Sequence, residues 1–114
     1  MTLYGIATCD TCRKARKSLE SKGLAVRFRD VRADPLSLAD IARFFAVFGP
    51  DLLNTRSTTW RGLSDGARTG DPVDLLIAHP TLMKRPVIAS EKALTLGWDA
   101  TAQTAHLGDG SAGV

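Results

Sequence analysis

The order of hydrophobic and polar residues predicts three elements at the start of the chain. Positions 3 to 6 are mainly apolar, which predicts a β-strand at about residues 2–6. A helical period follows at about residues 11–22, with no glycine or proline before Gly23. Its apolar face carries Cys12, Ala15 and Leu19. At about residues 25–31 apolar and basic side chains alternate, which predicts a half-exposed strand and completes a βαβ unit with parallel strands.

The middle of the chain is predicted to be mainly helical. The segment from Ser37 to Val47 has apolar residues at helical spacing, and Gly49-Pro50 ends it. A short helix is predicted around Trp60, behind hydroxyl residues suited to capping. Another is predicted between Asp71-Pro72 and His79-Pro80, because proline is favoured in the first helical turn. The glycine-containing stretch just before Asp71 is predicted to be loose.

Two short apolar runs near the C-terminal end, at residues 86–89 and 93–96, flank a polar turn and predict a β-hairpin. A last short helix is predicted at about residues 99–106. The order of a βαβ unit, a helical middle and a terminal ββα is typical of an α/β thioredoxin-like fold with an inserted helical segment. We expect a single domain over residues 1–107 and a flexible glycine-rich tail over residues 108–114.

The only two cysteines, Cys9 and Cys12, stand where the first strand gives way to the first helix. This placement is typical of thiol redox chemistry. Cys9 falls at or near the helix N-cap, where unpaired N–H groups and the helix dipole lower the pKa of a thiol. Asp10 would raise that pKa if its carboxylate pointed inward, so the net shift stays open. In a thioredoxin-like fold, Pro86 occupies the place of the proline, usually cis, that faces the reactive cysteine.

Cys12 lies on the apolar face of the predicted helix, so we expect it to be partly buried beneath Cys9. An exposed, activated thiol above a shielded one can attack a substrate, and the shielded thiol can then resolve the mixed disulfide. Basic residues on the other helix faces, Lys14 among them, would stabilise a thiolate or attract an anionic substrate, or would simply form a solvated face. Two cysteines at this spacing can also be incidental.

Composition narrows the classes of function. The chain has 114 residues, of which 44% are hydrophobic and 24% charged, as is ordinary for one globular domain. No secretory signal or membrane span is recognised, so we expect a cytoplasmic protein, in which such cysteines are catalytic or redox-sensing. The net charge of +3, with acidic residues interspersed, gives little support to nucleic-acid binding. No metal site is expected, because His79 and His106 show no paired ligand spacing.

Several runs, taken together, resemble the arsenate reductase (ArsC)/Spx superfamily over residues 2 to about 107, and they are closest to its small YffB-like branch. The resemblance implies that Cys9 is the nucleophile. In the arsenate reductases of this superfamily that cysteine attacks an arsenate oxyanion held by arginines, and glutathione and glutaredoxin complete the reduction. The matching runs are Tyr4-Gly5-Ile6, Cys9-Asp10-Thr11, Lys14-Ala15-Arg16, Leu52-Leu53-Asn54-Thr55-Arg56, Thr58-Thr59-Trp60-Arg61 and His79-Pro80-Thr81-Leu82-Met83-Lys84-Arg85-Pro86-Val87.

The arginines match the arsenate reductases only in part. Arg85 coincides with one of their anion-binding arginines, whereas a second falls on Asn54 and a third has no counterpart between Pro86 and Trp98. Arg56 instead matches YffB-like and Spx-like chains. Each lost contact should cost about 1.5–3 kcal/mol of oxyanion binding, which argues against efficient arsenate reduction. Arg85 could also serve a structural ion pair with Asp10 or another carboxylate.

The sequence therefore favours an arsenate reductase-like thiol reductase that binds no cofactor and uses glutathione or glutaredoxin as co-substrate. Cys9 would attack, Cys12 would resolve or protect the intermediate, and Arg56 and Arg85 would bind an anionic group such as a glutathione carboxylate. The expected partners are a small anionic or thiol substrate and glutaredoxin, with no membrane and no nucleic acid. The alternative is an Spx-like redox-sensing transcriptional regulator that binds RNA polymerase, although such regulators usually continue beyond the last helix.

Overall fold

The computed structural model describes residues 1–91 and 93–107, which form two compact units. Met1–Asp30 and the segment from Arg85 onward make the first unit, and Val31–Lys84 make the second. The predicted tail, residues 108–114, lies outside the described residues, and the single domain over residues 1–107 stays a prediction. The elements are β1 (Thr2–Gly5), α1 (Asp10–Ser21), β2 (Arg27–Asp30), α2 (Leu38–Phe48), a 3-10 helix (Gly49–Leu52), α3 (Thr58–Arg61), α4 (Asp65–Arg68), α5 (Pro72–Ala78), a second 3-10 helix (Pro80–Leu82), β3 (Val87–Ala89), β4 (Leu94–Leu96) and α6 (Ala100–Leu107).

The first unit contains a four-stranded mixed sheet in the order β2-β1-β3-β4. β1 pairs in parallel with β2, where Leu3 lies opposite Phe28, and antiparallel with β3, where Leu3 lies opposite Ile88. β3 and β4 form the predicted hairpin. The βαβ unit and the half-exposed edge strand β2 are therefore confirmed, and the architecture is the thioredoxin-like α/β fold predicted from the sequence.

The core of this unit lies between α1 and the sheet. Its fully buried members are Leu3, Cys12, Ala15, Leu19 and Ile88. Three of them are the apolar face of α1 that the helical period predicts, and they pack on the central strands β1 and β3. Burying each of the larger aliphatic side chains contributes about 1.5–3 kcal/mol, so this face determines how α1 lies on the sheet.

Helix capping explains the main helices of the second unit. Ser37 Oγ accepts a hydrogen bond of 3.1 Å from the Asp40 N–H at the start of α2. Asp71 Oδ1 accepts one of 2.8 Å from the Val73 N–H at the start of α5, where proline stands in the first turn. The apolar faces of α2 and α5 pack together and bury Ile41, Phe44, Leu75 and Leu76. Both helices match their predicted positions.

The prediction of a loose stretch before Asp71 is wrong, because residues 65–68 form the one-turn helix α4. Ser64 Oγ caps it by accepting a hydrogen bond of 3.1 Å from the Ala67 N–H. The Arg68 guanidinium then donates to the backbone carbonyls of Trp60 at 3.2 Å and Arg61 at 3.0 Å. These bonds join α4 to α3 and offset the low helix propensity of Gly66 within α4.

All of these helices are short. No helix within residues 1–91 and 93–107 has both the length and the apolar character that crossing a membrane requires. In the same part of the chain, no group of three or more His, Cys, Asp or Glu side chains could hold a metal ion. The cytoplasmic location and the absence of a cofactor stay predictions.

His106 on α6 is a buried titratable group in the first unit. Its side chain is only 6% exposed, and its Nε2 lies 2.7 Å from Thr95 Oγ1 on β4. Burial lowers the pKa of His106 below its ordinary value, and the facing Ile88 backbone opposes this shift only in part. The folded protein therefore holds the His106 proton less tightly than the unfolded chain does.

We expect the free energy of unfolding to fall as the pH drops below about 6.5, because in that range the unfolded chain binds more protons than the folded one. Urea denaturation at about pH 7.5 and about pH 5 would measure the change. His106→Gln should make the decrease smaller, whereas the control His79→Gln, which changes the other histidine, should not. Equal decreases in the protein and in His106→Gln would contradict this assignment.

Candidate active site at the start of the first helix

Cys9 is the N-cap residue of α1, as the sequence predicts. Its backbone is extended, with φ −82° and ψ 119°, and its N–H donates to the Ile6 carbonyl at 3.0 Å. The loop before it is tied to β2, because the Ala7 N–H donates to Asp30 Oδ2 at 3.0 Å. The Cys9 side chain is partly buried and makes no capping hydrogen bond of regular geometry. The loop and the first turn of α1 thus hold a thiol that solvent can still reach.

The pKa of the Cys9 thiol is lowered from its ordinary value. Partial burial works against the thiolate, but hydrogen bonds from the Cys12 backbone and side chain, together with a hydrogen bond and the positive charge of Arg85, outweigh it. The Asp10 carboxylate forms an ion pair with Arg13 on the exposed side of the helix and does not contribute to this shift. The net direction that the sequence left open is therefore downward, and Cys9 is the activated thiol.

Cys12 shows the opposite behaviour. Its side chain is fully buried, and burial together with the nearby Cys9 thiolate raises the pKa of Cys12 to about 12, against the weaker effects of the Ile6 backbone and Arg85. Cys12 therefore remains a thiol at neutral pH and can donate its S–H to the Cys9 thiolate. The predicted pair of an accessible thiol above a shielded one is present, and both cysteines are free.

Gly5 on β1 makes room for Cys12. A Cβ atom placed on Gly5 would lie 2.5 Å from the Cys12 Sγ, which is closer than real Cβ atoms approach. Sequence reasoning matched Gly5 only as part of a motif and gave it no role. The sequence feature that could have indicated this role is a glycine within a strand pattern, because such a glycine often marks a close approach by another group.

Arg85 and Pro86 lead into β3 in the same unit. The peptide bond between them is cis, as the fold predicts, and Pro86 is fully buried. Arg85 is partly buried, and a hydrogen bond and the positive charge from its side chain help to lower the pKa of Cys9. Asp10 pairs with Arg13 rather than with Arg85, and the alternative of a structural ion pair between Arg85 and another carboxylate stays a prediction. The structure thus brings Arg85 to the two cysteines.

The helix charges expected to support the thiolate act elsewhere. Lys14 is exposed and does not contribute to the lowered pKa of Cys9. Arg16 pairs with Glu20 at 3.5 Å and lies over the Phe28 ring, with 5.3 Å from its Cζ to the ring centroid. Exposed charges of this kind are screened by water. This face of α1 has the features of the solvated helix surface, and a role for Lys14 in substrate binding stays a prediction.

Arg56 belongs to the second unit. Its side chain is exposed, and its backbone N–H donates to Asn54 Oδ1 at 3.1 Å. It lines an open groove together with Asp51 and Lys84, two residues that sequence reasoning did not select. Lys84 stands directly before Arg85 in the chain, and this neighbour relation was the only signal for it. The role of Arg56 toward Cys9 stays a prediction.

A family model described as "ArsC family" matches residues 4–105. The chain belongs to the ArsC family. It is 36% identical over 104 residues to an uncharacterised protein of Haemophilus influenzae, a match that covers 87% of this chain and 91% of the relative. The global transcriptional regulator Spx of Listeria innocua is 33% identical over 105 residues, covering 87% and 80%.

Solved structures give the same result for this ArsC-family chain. The YffB protein superposes with a TM-score of 0.85 at 32% identity, covering 93% of this chain and 97% of that one. An arsenate reductase (ArsC) related protein from Brucella melitensis superposes with a TM-score of 0.71 at 33% identity, covering 93% and 92%. These findings confirm the resemblance to the ArsC/Spx superfamily and to its YffB-like branch.

Arg85 can be tested as a cause of the activated thiol. Arg85→Gln removes its positive charge, so the pKa of Cys9 should rise toward its ordinary value. The measurement is the rate of Cys9 alkylation against pH, with the labelled residue identified by mass spectrometry. Arg16→Gln removes an exposed charge from α1 and should leave the profile unchanged. If the profile of Arg85→Gln matched that of the unmodified protein, Arg85 would not be a cause of the shift.

The contact between β1 and Cys12 should make position 5 intolerant of a side chain. We expect Gly5→Ala to lower the free energy of unfolding by about 1–3 kcal/mol, as overpacking of a core does. Gly66→Ala is the matched control, because an added Cβ there meets nothing within 4 Å and the change should be neutral or slightly stabilising.

Urea denaturation of Gly5→Ala, of Gly66→Ala and of Gly5→Ala combined with Cys12→Ala would measure these effects. Removing the Cys12 sulfur should restore part of the stability lost in Gly5→Ala, because the two sites are in contact. Additive losses in the double variant would show that the Cys12 sulfur is not the obstacle.

Proposed function

We propose that this ArsC-family protein is a thiol-disulfide oxidoreductase in which Cys9 is the nucleophile and glutathione is the co-substrate, with glutaredoxin as the alternative reductant. The observation that carries this proposal is the lowered pKa of Cys9, produced by Arg85 and by the buried Cys12. The thiolate is the reactive form of cysteine, so a lowered pKa supplies more nucleophile at neutral pH.

In the first step the Cys9 thiolate attacks one sulfur of a disulfide substrate. A bond forms between Cys9 and that sulfur, the original disulfide bond breaks, and the other sulfur leaves as a thiolate and takes a proton from water. The positive charge of Arg85 beside Cys9 favours substrates that carry carboxylates near the disulfide, such as a glutathionylated protein, whose reduction by glutathione yields the free protein thiol and glutathione disulfide.

In the second step the mixed disulfide on Cys9 is resolved. Once Cys9 is bonded to a substrate sulfur it carries no charge, so one cause of the raised pKa of Cys12 disappears while burial remains. Cys12 can then attack Cys9, release the second substrate sulfur as a thiol and form a Cys9–Cys12 disulfide. Two electrons pass from the dithiol to the substrate, and two glutathione molecules or one reduced glutaredoxin return them.

Arsenate fits this chain less well as a substrate. The arsenate reductases of the superfamily hold the oxyanion with arginines, and the position of one of these is Asn54 in this chain. The Asn54 Oδ1 accepts the Arg56 backbone N–H at 3.1 Å, so this part of the side chain is occupied locally. A neutral amide cannot replace a guanidinium as a charge-assisted donor to an oxyanion.

The cysteine variants test the proposal directly. Cys9→Ser should lower glutathione-dependent reduction of 2-hydroxyethyl disulfide to the uncatalysed background, because a serine hydroxyl is not ionised at neutral pH. Cys12→Ser should slow or redirect turnover without abolishing it. The readout is NADPH consumption coupled to glutathione reductase, with folding of each variant checked by circular dichroism. Full activity in Cys9→Ser would disprove the proposal, and equal loss in both variants would indicate an obligatory dithiol cycle.

A second candidate is an Spx-like redox-sensing regulator that binds RNA polymerase. Its support is the identity of 33% over 105 residues to the Listeria innocua regulator. In this function the Cys9–Cys12 pair would report the redox state. A pull-down with the C-terminal domain of the RNA polymerase α-subunit, repeated with oxidised and reduced protein, tests it. Failure to bind in both states would remove this candidate.

A further inference from the structure

The second unit contains an open groove with a volume of about 440 Å³, which falls in the size range of sites for small molecules. Five polar residues line this groove, which we call the zwitterion groove. They are Asp51, Asn54, Thr55, Arg56 and Lys84. Pro50 and Leu53 add apolar surface to the same groove.

The backbone holds the two sides of this groove together. Leu53 and Met83 form an isolated antiparallel bridge. On either side of it the Asn54 N–H donates to the Leu82 carbonyl at 2.8 Å, and the Lys84 N–H donates to the Leu52 carbonyl at 2.7 Å. Short ladders of this kind fix the register of the residues that they join. Lys84 and the Asn54 to Arg56 turn are therefore positioned by hydrogen bonds rather than by flexible loops alone.

The groove carries two cations and one anion. Within residues 1–91 and 93–107, Asp51, Arg56 and Lys84 make no ion pair with one another or with other groups. The Asn54 Oδ1 accepts the Arg56 N–H, so the amide nitrogen of Asn54 is the end of that side chain suited to donate to a ligand. The groove thus offers positive donors and one carboxylate acceptor in the same space.

We propose that the zwitterion groove binds the α-amino-acid end of a small peptide or amino acid. Arg56, Lys84 and the Asn54 amide would hold its carboxylate, and Asp51 would hold its ammonium group. Asp51 would weaken the binding of a purely anionic ligand such as phosphate, although the groove carries a net positive charge, and the two basic residues would repel a purely cationic ligand. Glutathione ends in such a group at its γ-glutamyl residue, so the choice of this ligand rests on the function proposed above.

The test uses S-methylglutathione, which keeps the γ-glutamyl end but has no free thiol. The full chain should bind it in an NMR titration, with shifted signals at the groove residues. Arg56→Ala and Lys84→Ala should each weaken binding by about tenfold, as the loss of a charge-assisted contact to a carboxylate does. Arg61→Ala is the matched control, because it removes an exposed basic side chain of the same unit that does not line the groove.

The ammonium contact is tested by blocking the amine. N-acetylation of S-methylglutathione should weaken its binding to the unmodified protein by about fivefold, within the range of solvent-exposed charge pairs. In Asp51→Asn the same acetylation should make little difference, because the carboxylate that recognises the ammonium is gone. Circular dichroism of each variant separates loss of binding from loss of folding.

The outcomes separate this inference from the proposed function. If S-methylglutathione does not bind, or if Arg56→Ala and Lys84→Ala bind it as well as Arg61→Ala does, the zwitterion groove is not its site. That result is independent of whether Cys9 forms a mixed disulfide with oxidised glutathione, which tests the reductase proposal. A competition experiment gives a further check. If inorganic phosphate weakened S-methylglutathione binding equally in the unmodified protein and in every variant, the binding would be nonspecific anion binding, and the inference would be overturned.

Discussion

The unequal burial of two thiols in one helical turn is the constraint on which the site depends. Cys12 belongs to the apolar face of α1 and packs into the space left by Gly5, whereas Cys9, as N-cap, is the last residue before the helix and stays accessible. Burial disfavours a charged sulfur at one position, and the helix start favours it at the other. The same packing that stabilises the first unit thus favours a thiolate at Cys9 and leaves Cys12 protonated.

The effect of a basic residue on these two thiols depends on its position in the fold, and not on how many basic residues lie nearby in the sequence. Four basic residues follow Cys12 along α1, but Lys14 is exposed and Arg16 pairs with Glu20 in water. Arg85 lies in the segment just before β3 and is partly buried, so its interaction with Cys9 is less screened. The single cation Arg85 therefore has more effect on the Cys9 thiolate than the run of basic residues on α1.

The sequence allowed the main elements to be predicted because their patterns are local. The spacing of Cys12, Ala15 and Leu19 determines the buried face of α1, and the Ser37 and Asp71 caps mark the starts of α2 and α5. The helix α4 was missed, since hydrogen bonds from Arg68 to carbonyls of α3 compensate for local propensity. The direction of the Asp10 side chain could not be predicted from the sequence either, because it depends on the partner with which the carboxylate pairs, here Arg13.

The candidate site likewise has one part that local sequence patterns predict and another part that they do not. An N-cap cysteine follows from where a strand pattern meets a helix pattern, whereas the link between Cys9 and Arg85 came only from family resemblance, because no local pattern joins them. Lys84 and Arg85 show why such residues are hard to select: they are consecutive, yet one lines the groove of the second unit and the other reaches the thiols of the first. Lys84 is exposed and Arg85 is partly buried, so one short run places two cations in two different surroundings.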